Sequence, residues 1–317
     1  MSLLKKIKFN YHLKLIDNYI DTRELNLANT EISKIKKEDF EIFIEILKSL
    51  DNKLCDISNA SIYNQKIIWT LSYEPNDLDY INHFIGFYLS KSLNTNYLFE
   101  SFTEALAQSL SKLKFKQNEI KFNEMVKFSG FYQNILLFNP GLDLKLLNSS
   151  SAFFESNASK YFIYPNSTLC YFYVIRDPSE IFLNHKNKLS SSEAAYEELL
   201  NNRNQLYLNP SSSNQSFKIY ENRVNYNINT KSWTDPNVIS TYKGKIILYD
   251  NLVNKTQDTL LDIIYHLKQY YPSLKIDLHE IQKFIDQNKI INDVKGVTSN
   301  TEIKFLSKNI VKNDYLN

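Results

Sequence analysis

Glycine is scarce in this chain, with five among 317 residues, and the scarcity excludes a common way of binding phosphate. The glycines are Gly86, Gly130, Gly141, Gly244 and Gly296. None stands in a P-loop or in a Gly-x-Gly-x-x-Gly arrangement, where missing side chains let backbone N–H groups approach a phosphate. We therefore expect no glycine-rich nucleotide loop.

Cysteine and net charge are also low, and each excludes a class of protein. Cys55 and Cys170 are the only cysteines and lie far apart, which excludes a disulfide scaffold and favours a reducing, cytoplasmic location. A net charge of +2 gives no reason to expect a nucleic-acid partner. Met1 to Lys8 lacks the long apolar core of a signal peptide, and no apolar run is long enough for a transmembrane segment.

What the chain does contain is an alternation of predicted strands and helices. Residues 1–60 are expected to form a helical N-terminal extension, and residues 61–317 a single α/β domain with a helical insertion near 187–230. Apolar runs predict strands near 66–71, 171–175 and 245–250. The alternation predicts a three-layer α/β fold with a mainly parallel central sheet and helices on both faces.

Helix signals separate these strands. Helical spacing of apolar residues predicts helices over Asp79 to Ser92 and over Leu98 to Leu113. Glu124 to Lys127 is interpreted as a further strand. Near the end of the chain, Asn254 and Asp277 are each placed to cap an amphipathic helix.

The most informative segment is a strand that ends in Arg-Asp-Pro. The run Tyr171 to Ile175 is aromatic and β-branched, and Arg176 follows it directly. Asp177 is placed to cap a helix, and Pro178 suits its first turn. Ligands of open α/β sheets bind at the carboxyl ends of the strands, where helix N-termini favour anions. Arg176 is therefore placed to hold a phosphate, although the residues equally allow it simply to pair with a nearby carboxylate.

This segment resembles the 3′-phosphate segment of the sulfotransferase family. That family has a P-loop-like α/β fold and uses 3′-phosphoadenosine 5′-phosphosulfate (PAPS), releasing 3′-phosphoadenosine 5′-phosphate (PAP). In its pattern an arginine and a serine eight residues later hold the 3′-phosphate of the nucleotide. The resemblance assigns these roles to Arg176 and to Asn184, which replaces the serine and keeps a donor.

Three downstream segments extend the resemblance. Residues 245–253 are similar to the family's strand ending in Tyr-Glu-Asp-Leu, with Asp250 and Asn251 in place of Glu-Asp. Trp233 is similar to a tryptophan common in the family. Lys295 and Gly296 are similar to the family's Arg-Lys-Gly segment, which closes over the 3′-phosphate, and so are expected to bind the cofactor.

The family's 5′-phosphosulfate loop corresponds to residues 72–77, and here the chemistry departs from the pattern. The resemblance assigns Ser72 to the cofactor, but the loop has neither the glycine nor the cation of the family. Glu74 and Asp77 are expected to repel the phosphosulfate, and Asp77 to cap the following helix. We therefore expect weak or absent turnover.

Sulfuryl transfer needs a base for the acceptor hydroxyl. The family places a histidine after the lysine of its third strand, whereas here Lys127 is followed by Phe128 and Ser129. His83, in the first helix and close to the loop, is the remaining candidate base, and His185 follows Asn184. No spacing of histidine, cysteine and acidic residues predicts a metal site.

The expected function is transfer of a sulfuryl group from PAPS to a hydroxyl acceptor such as a carbohydrate, with Lys127 and His83 as catalytic candidates. Two alternatives stay open. One is a metal-dependent glycosyltransferase, in which Asp77-Leu78-Asp79 would hold a metal and a nucleotide sugar. The other is a non-catalytic descendant of the fold that binds a nucleotide or a protein partner.

Overall fold

The computed structural model describes residues 3–22, 27, 31, 67–74, 78–94, 97–101, 144–149, 168–201, 203–208, 218–223, 225–288, 290 and 298–310. Its helices are α1 (Leu3–Asp21), α2 (Asp79–Leu93), α3 (Pro178–Leu189), α4 (Ser192–Leu200), α5 (Tyr226–Thr234), α6 (Pro236–Tyr242), α7 (Tyr249–Asn254), α8 (Thr256–Lys268), α9 (Leu278–Gln287) and α10 (Asn300–Asn309). Its strands are β1 (Ile67–Ser72), β2 (Tyr97–Ser101), β3 (Leu144–Ser149), β4 (Thr168–Ile175), β5 (Arg203–Leu208), β6 (Lys218–Arg223) and β7 (Gly244–Leu248).

A parallel five-stranded sheet organises these elements, with the strand order β2-β3-β1-β4-β7. The strand that precedes Arg176, β4, lies between β1 and β7 and is therefore an interior strand. Every residue of β1 and of β4 is buried. Burial on both faces is typical of parallel sheets covered by helices, which explains why both strands are continuous apolar runs.

Helices cover both faces of β4. The ring of Phe172 lies 5.4 Å from that of His266 in α8. The rings of Tyr171 and Tyr173 lie 5.1 and 6.4 Å from Trp233 in α5. Because successive side chains of a strand point to opposite faces, α8 and α5 lie on opposite sides of the sheet. The predicted open α/β sheet with helices around it is confirmed.

Two apolar cores hold these layers together. The first joins one sheet face to α2, α8 and α9 through side chains such as Phe84, Ile263 and Phe284. The second lies beyond the carboxyl end of β1, where Tyr73 meets α3, α4, α5 and α10. Its buried members are Tyr73, Ile181, Phe182, Ala195, Leu199, Tyr226, Leu306 and Ile310.

Two of the three predicted helix caps that the structure describes are confirmed, and the fourth, Asp77, lies outside the described residues. The Asp177 carboxylate accepts from the Ser179 N–H at 2.7 Å, with Pro178 in the first turn, as predicted. Asp277 accepts from the N–H groups of two first-turn residues of α9, also as predicted. The prediction for Asn254 is wrong: it ends α7 and donates to Asp250 at 2.6 Å, while α8 begins without a side-chain cap.

Other boundaries also differ from the sequence predictions. Residues 98–101 belong to β2, so the helix predicted to start at Leu98 is wrong there; parallel pairing with β3 takes this segment into the sheet. The last predicted strand ends at Leu248, and Tyr249 already begins α7. The segment near 187–230 contains α4 and also an antiparallel hairpin of β5 and β6. The strand predicted at 124–127 lies outside the described residues.

The N-terminal helix α1 falls within the extension predicted to be helical. No helix in the described part of the chain combines the length and the apolar character needed to cross a membrane.

Candidate functional site

The strand order has a switch point between the neighbouring strands β1 and β4. From β1 the chain continues to β2, at one edge of the sheet, and from β4 it later reaches β7, at the opposite edge. Neighbouring strands whose connections run in opposite directions open a crevice beyond their carboxyl ends, where open α/β sheets bind ligands. Ser72 pairs with Val174, so Ser72 and Arg176 lie at the same edge.

Arg176 is a buried cation at this edge, with 6% of its surface exposed. Its Nε donates a hydrogen bond to Oε2 of Glu180 at 2.9 Å. Its guanidinium carbon lies 4.1 Å from the ring centre of Tyr249, at the start of α7. Its carbonyl oxygen accepts from the Tyr226 hydroxyl at 2.9 Å. The carboxylate pairing that the sequence left open is therefore present, and three helices fix the position of Arg176.

Asn184, assigned to the same phosphate, lies on α3 and is partly exposed. It stands one helical turn after Glu180, and residues four apart share a helix face. Glu180 is thus between the two residues that the resemblance assigns to the 3′-phosphate. The structure places Asn184 on the same face of α3 as Glu180. The residue of this face that bonds to Arg176 is Glu180.

The turn after β1 is held by buried hydrogen bonds. The hydroxyl of Ser72 donates to the backbone oxygen of Glu74. The hydroxyl of Tyr73 donates to the Glu198 carbonyl in α4 at 2.6 Å, and its ring packs edge-on against Tyr226, 5.4 Å between centres. Ser72 therefore lies at the predicted edge, and its hydroxyl serves the turn itself.

A buried pair between Glu74 and His185 is the main feature that sequence reasoning missed. Oε1 of Glu74 lies 2.8 Å from Nε2 of His185, and these residues are 7% and 8% exposed. In the sequence, Glu74 stands out only as a source of repulsion, and His185 only as the residue that follows Asn184. The signal for their pairing was helical spacing, since His185 stands four residues after the buried Ile181 and so lies on the inward face of α3.

The start of α2 lies just beyond the same turn. Its N-cap position is Leu78, which offers no side-chain hydrogen bond to the first N–H groups. Asn82, buried in the first turn, accepts from the Thr70 hydroxyl of β1. The Nδ2 atom of Asn82 is buried and, among the described residues, has no hydrogen-bond partner. Donors at a helix start next to β1 are suited to an anionic group.

His83, a predicted catalytic residue, is exposed on α2. Its ring packs edge-on against Phe284 of α9, 5.4 Å between centres. Its contact is therefore with α9, whereas Arg176 contacts α3 and α7. The other predicted catalytic residue, Lys127, lies outside the described residues, as do Lys295 and Gly296.

Trp233 and Cys170, both named in the sequence analysis, are buried in the core. Trp233 is buried against Tyr171, whose hydroxyl donates to its carbonyl at 2.7 Å. Complete burial raises the pKa of the Cys170 thiol, which therefore stays protonated and is no nucleophile.

The structure describes Leu78 and Asp79 of the candidate glycosyltransferase motif. Asp79 is the first residue of α2, and partial burial raises the pKa of its carboxyl group. Leu78 is fully buried, and Asp77 lies outside the described residues. Across the part of the chain that the structure describes, no three histidine, cysteine or acidic side chains form a group that could hold a metal ion.

The arrangement combines a buried cation, a helix start without a side-chain cap and a sequestered carboxylate. These parts are suited to holding and orienting an anion. Comparisons with models of protein families, with curated proteins and with solved structures give no match to this chain. The residues at this edge of the sheet are therefore the basis for assigning a function.

Proposed function

We propose that this protein is sulfotransferase-like and binds PAP or PAPS in the crevice at the carboxyl ends of β1 and β4. The observation that carries the proposal is the position of Arg176, a buried cation directly after an interior parallel strand at the point where the strand connections diverge. Arginine is the side chain best suited to bind a phosphate through two parallel hydrogen bonds. In the proposed complex, Arg176 and Asn184 hold the 3′-phosphate.

The start of α2 is the proposed position for the 5′ end of the nucleotide. Its N-cap residue Leu78 offers no side-chain hydrogen bond, and the buried donor Nδ2 of Asn82 makes no hydrogen bond to any residue that the structure describes. A helix start supplies N–H donors and a positive dipole end. Both features support binding of an anion there without a glycine-rich loop.

Sulfuryl transfer to a hydroxyl acceptor, such as a carbohydrate, belongs to the proposal as a weak or lost activity. Transfer would depend on positioning and on stabilising charge at the leaving phosphate. The turn after β1 holds a carboxylate, that of Glu74, and the Ser72 hydroxyl already donates to the Glu74 backbone oxygen. Nucleotide binding with little turnover is therefore the function that we propose.

The test is a calorimetric titration of PAP into the wild type and into Arg176→Ala and Arg176→Lys. Loss of charge-assisted hydrogen bonds of about 1.5–3 kcal/mol should weaken PAP binding by about 10- to 150-fold in Arg176→Ala. Arg176→Lys should recover part of the affinity, because an ammonium cannot form two parallel bonds to one phosphate. Lys188→Ala removes a cation from the exposed end of the same helix and should bind as the wild type does.

Unfolding curves for each variant separate a folding defect from a binding defect. Equal PAP affinity in folded wild type, Arg176→Ala and Arg176→Lys would refute the phosphate role of Arg176. Fast, saturable sulfation of an acceptor by the purified protein would contradict the proposed weak turnover and move the phosphosulfate site elsewhere in the chain.

A further inference from the structure

We infer that Glu180 is an internal competitor for the phosphate site on Arg176, so that a ligand must displace its carboxylate in order to bind. The inference rests on the proposed nucleotide function and concerns the residue that sets its affinity. Nε of Arg176 and Oε2 of Glu180 are 2.9 Å apart, in an i,i+4 relationship at the start of α3.

The two partners differ in their freedom to move. The Arg176 side chain is 7% exposed and its guanidinium lies 4.1 Å from the Tyr249 ring centre, so it is held from one side by stacking. The Glu180 side chain is 35% exposed. Glu180 can therefore turn toward solvent while Arg176 stays in place.

Burial explains why an acidic partner is needed in the empty protein. A guanidinium removed from water is unfavourable unless an anion pairs with it. Glu180 meets this need without a ligand, and it leaves only when a stronger anion replaces it. The chemical class that fits is a phosphate monoester, which carries about two negative charges at neutral pH and accepts through three oxygens.

A second carboxylate near Arg176, that of Asp177, also opposes the binding of a phosphate. The carboxylate of Asp177 caps α3 and is exposed at the same helix start. An incoming phosphate thus meets two carboxylates beside one guanidinium. Removal of the Glu180 charge should strengthen phosphate binding, whereas a residue that merely positioned Arg176 would give the opposite result.

The experiment is a titration of PAP at pH 7.5 into wild type, Glu180→Gln and Glu180→Ala. We expect both variants to bind PAP about 1.5- to 5-fold more tightly, the range expected when a partly exposed ion pair stops competing. Asp286→Asn, a matched loss of one negative charge on α9, should leave the affinity unchanged. Arg176→Ala combined with Glu180→Gln should abolish the gain.

Thermal unfolding of the empty proteins supplies the second readout. Loss of the ion pair should lower the melting temperature of Glu180→Gln slightly, so that stability and affinity change in opposite directions. Binding by Glu180→Gln but not by the wild type would support the inference. Unchanged or weaker binding by Glu180→Gln, beside measurable binding by the wild type, would overturn it and leave the nucleotide proposal standing. Failure of both proteins to bind would overturn both.

Discussion

Glu74 and His185 form a buried contact of 2.8 Å between the turn after β1 and the helix after β4. The contact joins two segments that are 111 residues apart in the chain. It also keeps the Glu74 carboxylate bound to an imidazole at the edge where an anion is proposed to bind.

The first prediction is that His185→Ala destabilises the protein strongly. Removing the imidazole leaves a buried carboxylate without this hydrogen-bond donor, a loss that costs about 1–3 kcal/mol for a neutral group and more for a charged one. Glu74→Gln keeps a hydrogen-bonding group of the same shape and should cost less, about 1–3 kcal/mol. Urea unfolding measures both.

His83→Ala is the matched control, because His83 is an exposed histidine on α2. Its effect should stay within about 0.5 kcal/mol, as for most surface substitutions. If His185→Ala unfolded at the same urea concentration as wild type, the pair would have no role in stability.

The second prediction concerns acid stability and Glu302. Hydrogen bonds from Lys186 and from the Ser299 N–H lower the pKa of Glu302 from 4.5 to about 2. Because the folded-state pKa is the lower one, the contribution of this carboxylate is fully present above pH 4.5 and is lost as the pH falls toward 2. Wild type should lose stability across this window, measured by urea unfolding at each pH.

Glu302→Gln provides the comparison for that measurement. The variant should be less stable than wild type at pH 7, and the difference should shrink between pH 4.5 and pH 2. A difference that stayed constant over this range would show that the hydrogen bonds of Glu302 do not depend on its ionised state.

The third prediction concerns Gly244, the first residue of β7. A Cβ atom at this position would overlap the phenol ring of Tyr171 on β4. The ring cannot yield easily, because it is fully buried and its hydroxyl is bonded to the Trp233 carbonyl. Gly244→Ala should therefore cost about 1–3 kcal/mol through overpacking.

Shortening the opposing side chain provides the control. Tyr171→Leu is destabilising alone, but in that background Gly244→Ala should cost much less than in wild type, because the overlapping ring is gone. Additive effects of the two changes, measured by urea unfolding, would mean that the overlap does not cause the loss.

The elements that sequence predicted well are those whose signals are local. Continuous apolar runs gave β1 and β4, and Asp177 and Asp277 cap the helices as their positions indicated. Residues 98–101 were mistaken for helix because parallel pairing with β3, which has no local signal, places them in the sheet.

The site was predicted only in part, for a similar reason. The place of Arg176 at the end of an interior strand follows from strand order and local pattern. The sequence does not decide whether Glu180 pairs with Arg176, because an acidic residue in the first turn of a helix can serve either the helix start or an ion pair. Helical spacing places His185 on the inward face of α3, but its pairing with Glu74 depends on how α3 packs over the turn after β1, and nothing near either residue identifies the partner.

Helix α10 has a consequence for how this protein is made. It supplies Leu306 to the second core, which Ile310 joins directly after the helix. Its Glu302 accepts from Lys186 and Ser192, which come 116 and 110 residues earlier. At a synthesis rate of about 5–20 residues per second, α3 and α4 would leave the ribosome roughly 5–20 s before this helix. During that interval Phe182 and Leu199 lack their final cover, so this apolar surface of the nascent chain stays open to a chaperone.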